Sequence, residues 1–160
     1  MPSLSTFMMP AGKCITAMPQ DKLESVVRSL VSQHIGCVPV VDPDTREAVG
    51  LVTKQDVNQM FLDQVPLDTP VCEVMSKTLH LATPDMTRDG AAEVLQKHKI
   101  HHAVVQNIEG KFAGVFSSWD IARECALDAK AWPYNRTAWL QFDQTMSPRK
   151  RDAEEEKKAT

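Results

Sequence analysis

The sequence predicts an α+β fold: two tandem β-α-β-β-α units followed by an aromatic C-terminal extension. Three observations carry that reading. The stretch "AVGLVTKQDVNQMF" (48–61) returns in altered form as "FAGVFSSWDIAREC" (112–125), and each copy has a Gly, an apolar pair, a hydroxyl residue, two variable positions and an Asp. The duplication also extends upstream, where Ala17 and Pro19 align with Ala82 and Pro84, Leu30 with Leu95, Ile35 with Ile100 and Val40 with Val105; a one-residue gap then brings Gly50 onto Gly114. Two copies at this long spacing describe a pair of whole domains rather than a solenoid array. Finally, each copy passes from apolar residues at helical spacing to two short β-branched runs split by a turn.

In the first copy, Pro19 to His34 carries Leu23, Val26, Val27, Leu30 and Val31 on one helical stripe, with Asp21 and Glu24 placed as a capping box. The runs Gly36 to Val41 and Glu47 to Thr53, separated by "DPDTR", read as hairpin strands. A second helix is expected to open at or beside Thr53, with Asp56 in its first turn and Val57, Met60 and Phe61 as its apolar face. The second copy repeats the plan: a helix ending near Lys99, strands "HAVVQ" and "FAGVFS" around "NIEG", and a helix from Ser118 to about Asp128. The expected organisation is therefore one domain over 4–63 and a second over 64–128, preceded by a proline-containing linker at 64–70. An aromatic extension at 129–146 follows, and then a charged, disordered tail at 147–160. The extension holds Trp132, Tyr134 and Trp139, an apolar cluster expected to dock on the module or on a second copy.

Composition narrows the function. With 160 residues, 42% hydrophobic and 24% charged, the chain has enough apolar surface for two small cores that share an interface. A formal net charge of -3 supplies no basic field, which argues against nucleic acid and anionic membrane as partners, and the short "PRKR" (148–151) runs at once into "DAEEE". The opening residues lack a charged segment followed by an apolar one and no window has transmembrane length, so a cytoplasmic address is expected. Cys14, Cys37, Cys72 and Cys125 show no C-x-x-C spacing and read as reduced, mostly buried thiols. Met8, Met9, Met60 and Met75 read as gap-filling core and dimer contacts.

The repeated Thr/Ser-x-x-Asp element admits two readings. A hydroxyl residue followed three positions later by an acid is an ordinary way to start a helix. Placed twice directly after a strand of the form Gly-apolar-apolar, it also presents free N–H groups, a hydroxyl and a carboxylate, which suit the phosphate and ribose of a ligand. No Gly-rich phosphate loop, nucleophile elbow or H-E-x-x-H motif accompanies it, so catalysis is not expected.

The segments "PVVD…VGLVTKQD" and "HAVVQN…AGVFSSWD", with the upstream "AMPQDKLESVV" and "ATPDMTRDGAA", resemble the cystathionine-β-synthase (CBS) domain, and their tandem occurrence resembles the Bateman module; the likeness covers roughly residues 4 to 128. The resemblance implies a regulatory, non-catalytic protein with two clefts related by a pseudo-twofold axis. It also implies an adenosine-containing ligand, AMP, ADP, ATP or S-adenosylmethionine, as regulator rather than tightly bound cofactor, together with assembly as a homodimer. Carried over by position, Asp56 and Asp120 correspond to the ribose-binding acids and Thr53 and Ser117 to their hydroxyl neighbours. Thr16 with Ala17, and Leu81 with Ala82, fall on the first-strand edges that flank the adenine, and Val38 and Ala103 on the strands opposite.

The copies differ just before the hairpin, where nucleotide-binding members often place a basic residue: the second has His101 and His102, the first Gly36 and Cys37. Unequal clefts follow, with the Asp120 cleft expected to be the stronger phosphate site. Trp119 beside Asp120 could cover a ligand or block the cleft. The run "HKIHH" (98–102) also admits a metal reading through His98 and His102, against which the repeat alignment places Ile100 at a helix-to-strand junction. Two functions remain in view: a stand-alone adenosine-ligand sensor that signals to an effector protein, and a constitutive dimeric interaction module that no longer binds nucleotide.

Overall fold

The computed structural model describes residues 2–131, and the expected aromatic extension beyond Ala131 and charged tail lie outside them. The chain divides into two units after Ile121, within the last helix of the second repeat. Along the chain come β1 (Met9–Pro10), α1 (Leu23–Ser32), β2 (Cys37–Val41), β3 (Ala48–Thr53), α2 (Lys54–Leu62), α3 (Val71–Val74), β4 (Leu81–Ala82), α4 (Arg88–His98), β5 (His102–Gln106), β6 (Phe112–Ser117) and α5 (Ser118–Ala131). Short 3-10 turns cover Leu4–Thr6 and Ala11–Lys13.

Each repeat is built on an antiparallel hairpin whose alternating apolar residues face a core. In the first, Cys37 pairs with Thr53 and Val40 with Gly50, with an irregularity between Val40 and Val41. In the second, His102 pairs with Ser117 and Val105 with Gly114. The strand ahead of each first helix lies parallel to its hairpin: Ala17 bridges Val40, and β4 pairs with β5.

The opposite edge of each hairpin is filled by a segment from elsewhere in the chain. β1, from the N-terminus, pairs with β6 of the second repeat, giving the order β1-β6-β5-β4. Ser76, between α3 and β4, bridges Leu51 of the first. Packing follows the same exchange. Leu4 and Phe7 are buried in the core of Ala82, Ala91, Leu95, Ala103, Val105 and Phe116, whereas Val71 of α3 is buried in the core of Leu23, Val26, Leu30, Val38, Val40 and Val52. A third cluster joins the two hairpins through Cys37, Leu51 and Val104. Such burial of apolar surface is the main stabilising contribution to folding.

The same exchange explains a departure from the expected start of α1. Asp21 and Glu24 do not form a capping box there: Lys22 is the N-cap without a side-chain bond, and the Asp21 carboxylate instead accepts the Met18 N–H at 2.8 Å. The N–H groups of Leu23 and Glu24, orphaned at a helix start, donate to the linker carbonyls of Thr69 and Leu67, both at 2.9 Å. Tertiary partners replace the local cap.

The expected apolar face of α2 divides: Met60 is buried in the first core and Val57 packs against it, whereas Phe61 and its neighbour Leu62 are 82% and 72% exposed. Ile121 packs against the second core. All four cysteines are free thiols, but Cys125 is exposed and Cys14 and Cys72 half-buried, leaving Cys37 alone fully buried. Among the described residues no helix is long and apolar enough to cross a membrane.

A cavity between the two repeats

Both Thr/Ser-x-x-Asp elements are helix starts with the same geometry. Thr53 is the N-cap of α2: its hydroxyl accepts the Asp56 N–H at 3.2 Å, while its own N–H and hydroxyl donate to Asp56 Oδ2 at 2.8 and 3.0 Å. At α5, Ser117 donates its N–H and hydroxyl to Asp120 Oδ2, both at 2.7 Å, and its Oγ accepts the Asp120 N–H at 3.3 Å. The capping reading is thus correct, and it leaves room for the other. Every hydrogen bond these carboxylates accept among the described residues ends on Oδ2, so Oδ1 of each half-buried Asp retains its acceptor capacity.

A cavity of about 510 Å³ opens where the first repeat, the segment ahead of β4 and the α4-to-β5 passage of the second repeat meet. The first repeat contributes Gly36, Leu51 and the α2 start from Thr53 to Asp56. Ser76, Thr78, Leu79 and His80 come from the segment ahead of β4, and Lys99 to Val104 from the α4-to-β5 passage. Lys99, in the left-handed region at φ 53°, ends α4 and turns the chain into this wall.

Of the residues singled out in the sequence, the cavity therefore gathers Thr53, Asp56, His101, His102 and Ala103. The others lie elsewhere. Ala17, Val38 and Ala82 are buried in the cores, Thr16 and Leu81 are exposed, and Ser117 and Asp120 do not line this cavity. The two histidines share this cavity with Asp56, with the His102 ring over Gly36 of the other repeat, where a Cβ would collide with it; His101 also stays beside the start of α5, where its carbonyl accepts the Ser118 N–H at 2.9 Å. Gly36 is thus the complement of His102 rather than a missing basic residue. Sequence reasoning missed Lys54, Ser76, Thr78, His80 and Lys99; the polar residues just ahead of β4 were the one available signal.

Electrostatics separates the histidines. Burial lowers the pKa of His102 below the ordinary imidazole range, with His101 and Lys54 adding to the effect and Asp120 opposing it. His98 is also lowered, by loss of water around the ring and by nearby His80 and Lys97. Its ring stacks on His80 with centroids 3.8 Å apart and planes 24° apart, a parallel arrangement that does not aim two nitrogens at one point. Among the described residues no three His, Cys, Asp or Glu gather as metal ligands. Burial pushes the Cys37 thiol up to about 12, with the Cys14 thiol and Asp120 adding to it, and such thiols are inert. Trp119 is 66% exposed and does not line the cavity beside Asp56.

Comparison with known proteins places this geometry in a family. The CBS domain family model matches residues 4–63 and 71–127. The inosine-5′-monophosphate dehydrogenase of Aquifex aeolicus (strain VF5) is 29% identical over 110 residues, which is 68% of this chain but 22% of the dehydrogenase. Among solved structures, CBSX2 in complex with AMP is similar with TM-score 0.70 and 21% identity, over 80% of this chain and 98% of that one. The CBS domain pair of protein MJ0100, in complex with 5′-methylthioadenosine and S-adenosyl-L-methionine, is similar with TM-score 0.69 and 21% identity, over 78% of this chain and 96% of that one. Two tandem matches spanning most of the chain, together with the paired hairpins and exchanged edge segments, show that the protein belongs to the CBS domain family.

Proposed function

We propose that the chain is a regulatory module that binds an adenosine-containing ligand in the cavity between its repeats and passes the occupied state to an effector protein. The observation that carries this reading is the cavity itself. At about 510 Å³ it lies within the range of small-molecule sites, and it joins an apolar wall of Leu51, Leu79, Ile100 and Val104 to convergent polar groups. Asp56 Oδ1 accepts the ribose hydroxyls while Oδ2 holds the helix cap, the apolar wall takes the adenine, and the basic side chains take a phosphate. The adenosine compounds bound by CBSX2 and by the MJ0100 pair support the ligand class. A ligand touching both repeats and the segment ahead of β4 stabilises one arrangement of the three, and the effector reads that arrangement as a coupling free energy of about 1–3 kcal/mol.

Thermal unfolding with adenosine, AMP, ATP and S-adenosylmethionine tests the reading. A ligand at a hundred times its dissociation constant adds about 2.7 kcal/mol of stability, and a melting temperature unmoved by all four at millimolar concentration contradicts it. The alternative, a constitutive dimeric interaction module, draws on exposed Phe61, Leu62 and Trp119 near the starts and ends of α2 and α5. Dimerisation through these helices is compatible with ligand binding, and only the thermal result separates the two functions.

A further inference from the structure

Resting on the proposed adenosine site, we infer that His102 is a positioning residue that couples the two helix starts: its ring, seated on Gly36 of the first repeat, carries a change at the Asp56 cavity to the start of α5. Both starts are held in the same way. The Gly36 carbonyl accepts the Lys54 N–H of α2 at 3.2 Å, and the His101 carbonyl accepts the Ser118 N–H of α5 at 2.9 Å. Gly36 and His101 occupy corresponding places in the repeat, one residue after the aligned Ile35 and Ile100. Each supplies a partner to an N–H that a helix start leaves unpaired within the helix.

The His102 ring joins these two supports. A Cβ on Gly36 would meet its Nε2 and Cε1, so the ring fills the space that glycine leaves open. Across its own hairpin His102 lies opposite Ser117, whose N–H and hydroxyl donate to Asp120 at the start of α5. Its neighbour His101 adds a side-chain contact there, with Nδ1 3.4 Å from the Ser118 hydroxyl. Burial is the main cause of the lowered His102 pKa; His101 and Lys54 lower it further and Asp120 raises it, so groups from both helix starts act on one ring. Gly36, His101 and His102 also line the cavity with Asp56. A ligand that presses on this wall holds the ring against Gly36, and with it the backbone that carries Ser118. Close packing leaves little free volume at such a seam to absorb the displacement.

Amide NMR of the full chain, with and without AMP, tests the coupling. Without ligand, Gly36→Ala pushes the ring aside and is expected to shift the Ser117 and Ser118 amides of the other repeat and to lower the melting temperature, as overpacking does. In a His102→Ala background the same substitution is expected to move neither, because the ring it strikes is gone. An equal effect on Ser118 in both backgrounds, or none in either, overturns the coupling. If Gly36→Ala does not fold, His102→Ala alone decides: the Lys54 and Ser118 amides are expected to shift together, and an unmoved Lys54 amide overturns the coupling. With AMP at concentrations that saturate each protein, hydrogen exchange at the Ser118 amide is expected to slow about fivefold or more in the wild type and much less in His102→Ala. AMP binding with unchanged exchange at Ser118, or with equal slowing in the variant, overturns the relay while leaving the adenosine reading intact. Failure of AMP to bind overturns the adenosine reading and the ligand relay with it, whereas the ligand-free comparison still decides whether His102 couples the helix starts.

Discussion

Asp56 serves two purposes with its two oxygens. Oδ2 closes the capping box with Thr53, which fixes the carboxylate at the cavity wall and leaves Oδ1 outside the cap, the oxygen that the proposed function gives to a ribose. Asp120 has the same cap without the same cavity, which is why identical motifs in the sequence have unequal prospects as sites. His102 gives a prediction at this scale. Its pKa is lowered in the folded state, chiefly by burial, so the unfolded chain binds more protons as pH falls below the ordinary imidazole value near 6.5. Stability of the ligand-free protein is therefore expected to be full above that value and to decline below it. His102→Gln is expected to flatten the decline in chemical denaturation series between pH 7 and pH 5, and an unchanged acid slope in the variant would contradict the assignment.

At the scale of elements, the distinctive feature is the exchange of edge segments. β1 lies on β6 so closely that a Cβ at Gly114 would meet the Met9 carbonyl oxygen, a backbone atom that cannot rotate away. Gly114→Val is expected to expel β1 and to destabilise by about 1–3 kcal/mol, as overpacking does. Leu4→Ala, at a fully buried position, is expected to cost about 2–5 kcal/mol. Both appear as lower denaturation midpoints, and wild-type midpoints in either variant would mean that the N-terminal segment is not part of the second repeat's core.

The elements also show what the sequence could and could not convey. Short β-branched runs split by turn residues made both hairpins legible, and "HAVVQ" and "FAGVFS" coincide with β5 and β6. The Thr53 and Ser117 caps were legible because capping is local chemistry. A two-residue strand and a single 3-10 turn carry no periodicity, so the placement of Leu4 to Pro10 on the distant repeat had no sequence signal. Met60 illustrates the same limit on α2: an apolar face was visible, but which of its residues the core takes depends on the hairpin beneath it. The site was half legible for that reason. Thr53, Asp56 and the histidine pair, named from the sequence, line the cavity, but that the histidines share it with Asp56 depends on how two repeats face each other, and the presence of His80 on where the segment ahead of β4 crosses.

For the whole molecule, the starts and outer faces of α2 and α5 leave Phe61, Leu62 and Trp119 exposed at 82%, 72% and 66%. Exposed large apolar side chains are candidates for an interaction surface, and an isologous dimer would bury the same residues on both subunits. Light scattering of the full chain at micromolar concentration is expected to give the mass of a dimer, and Phe61→Ser with Leu62→Ser that of a monomer; a wild-type monomer would remove the dimer from the account.

The central claim is that an adenosine ligand occupies the cavity beside Asp56. Its most direct test is a calorimetric titration of AMP into the intact chain, Asp56→Ala and Asp120→Ala, side by side. Losing charge-assisted hydrogen bonds worth about 1.5–3 kcal/mol should weaken binding roughly ten- to hundredfold in Asp56→Ala, with a much smaller change in Asp120→Ala. Binding that survives Asp56→Ala and is lost in Asp120→Ala would contradict the account and move the ligand to the other repeat's helix start.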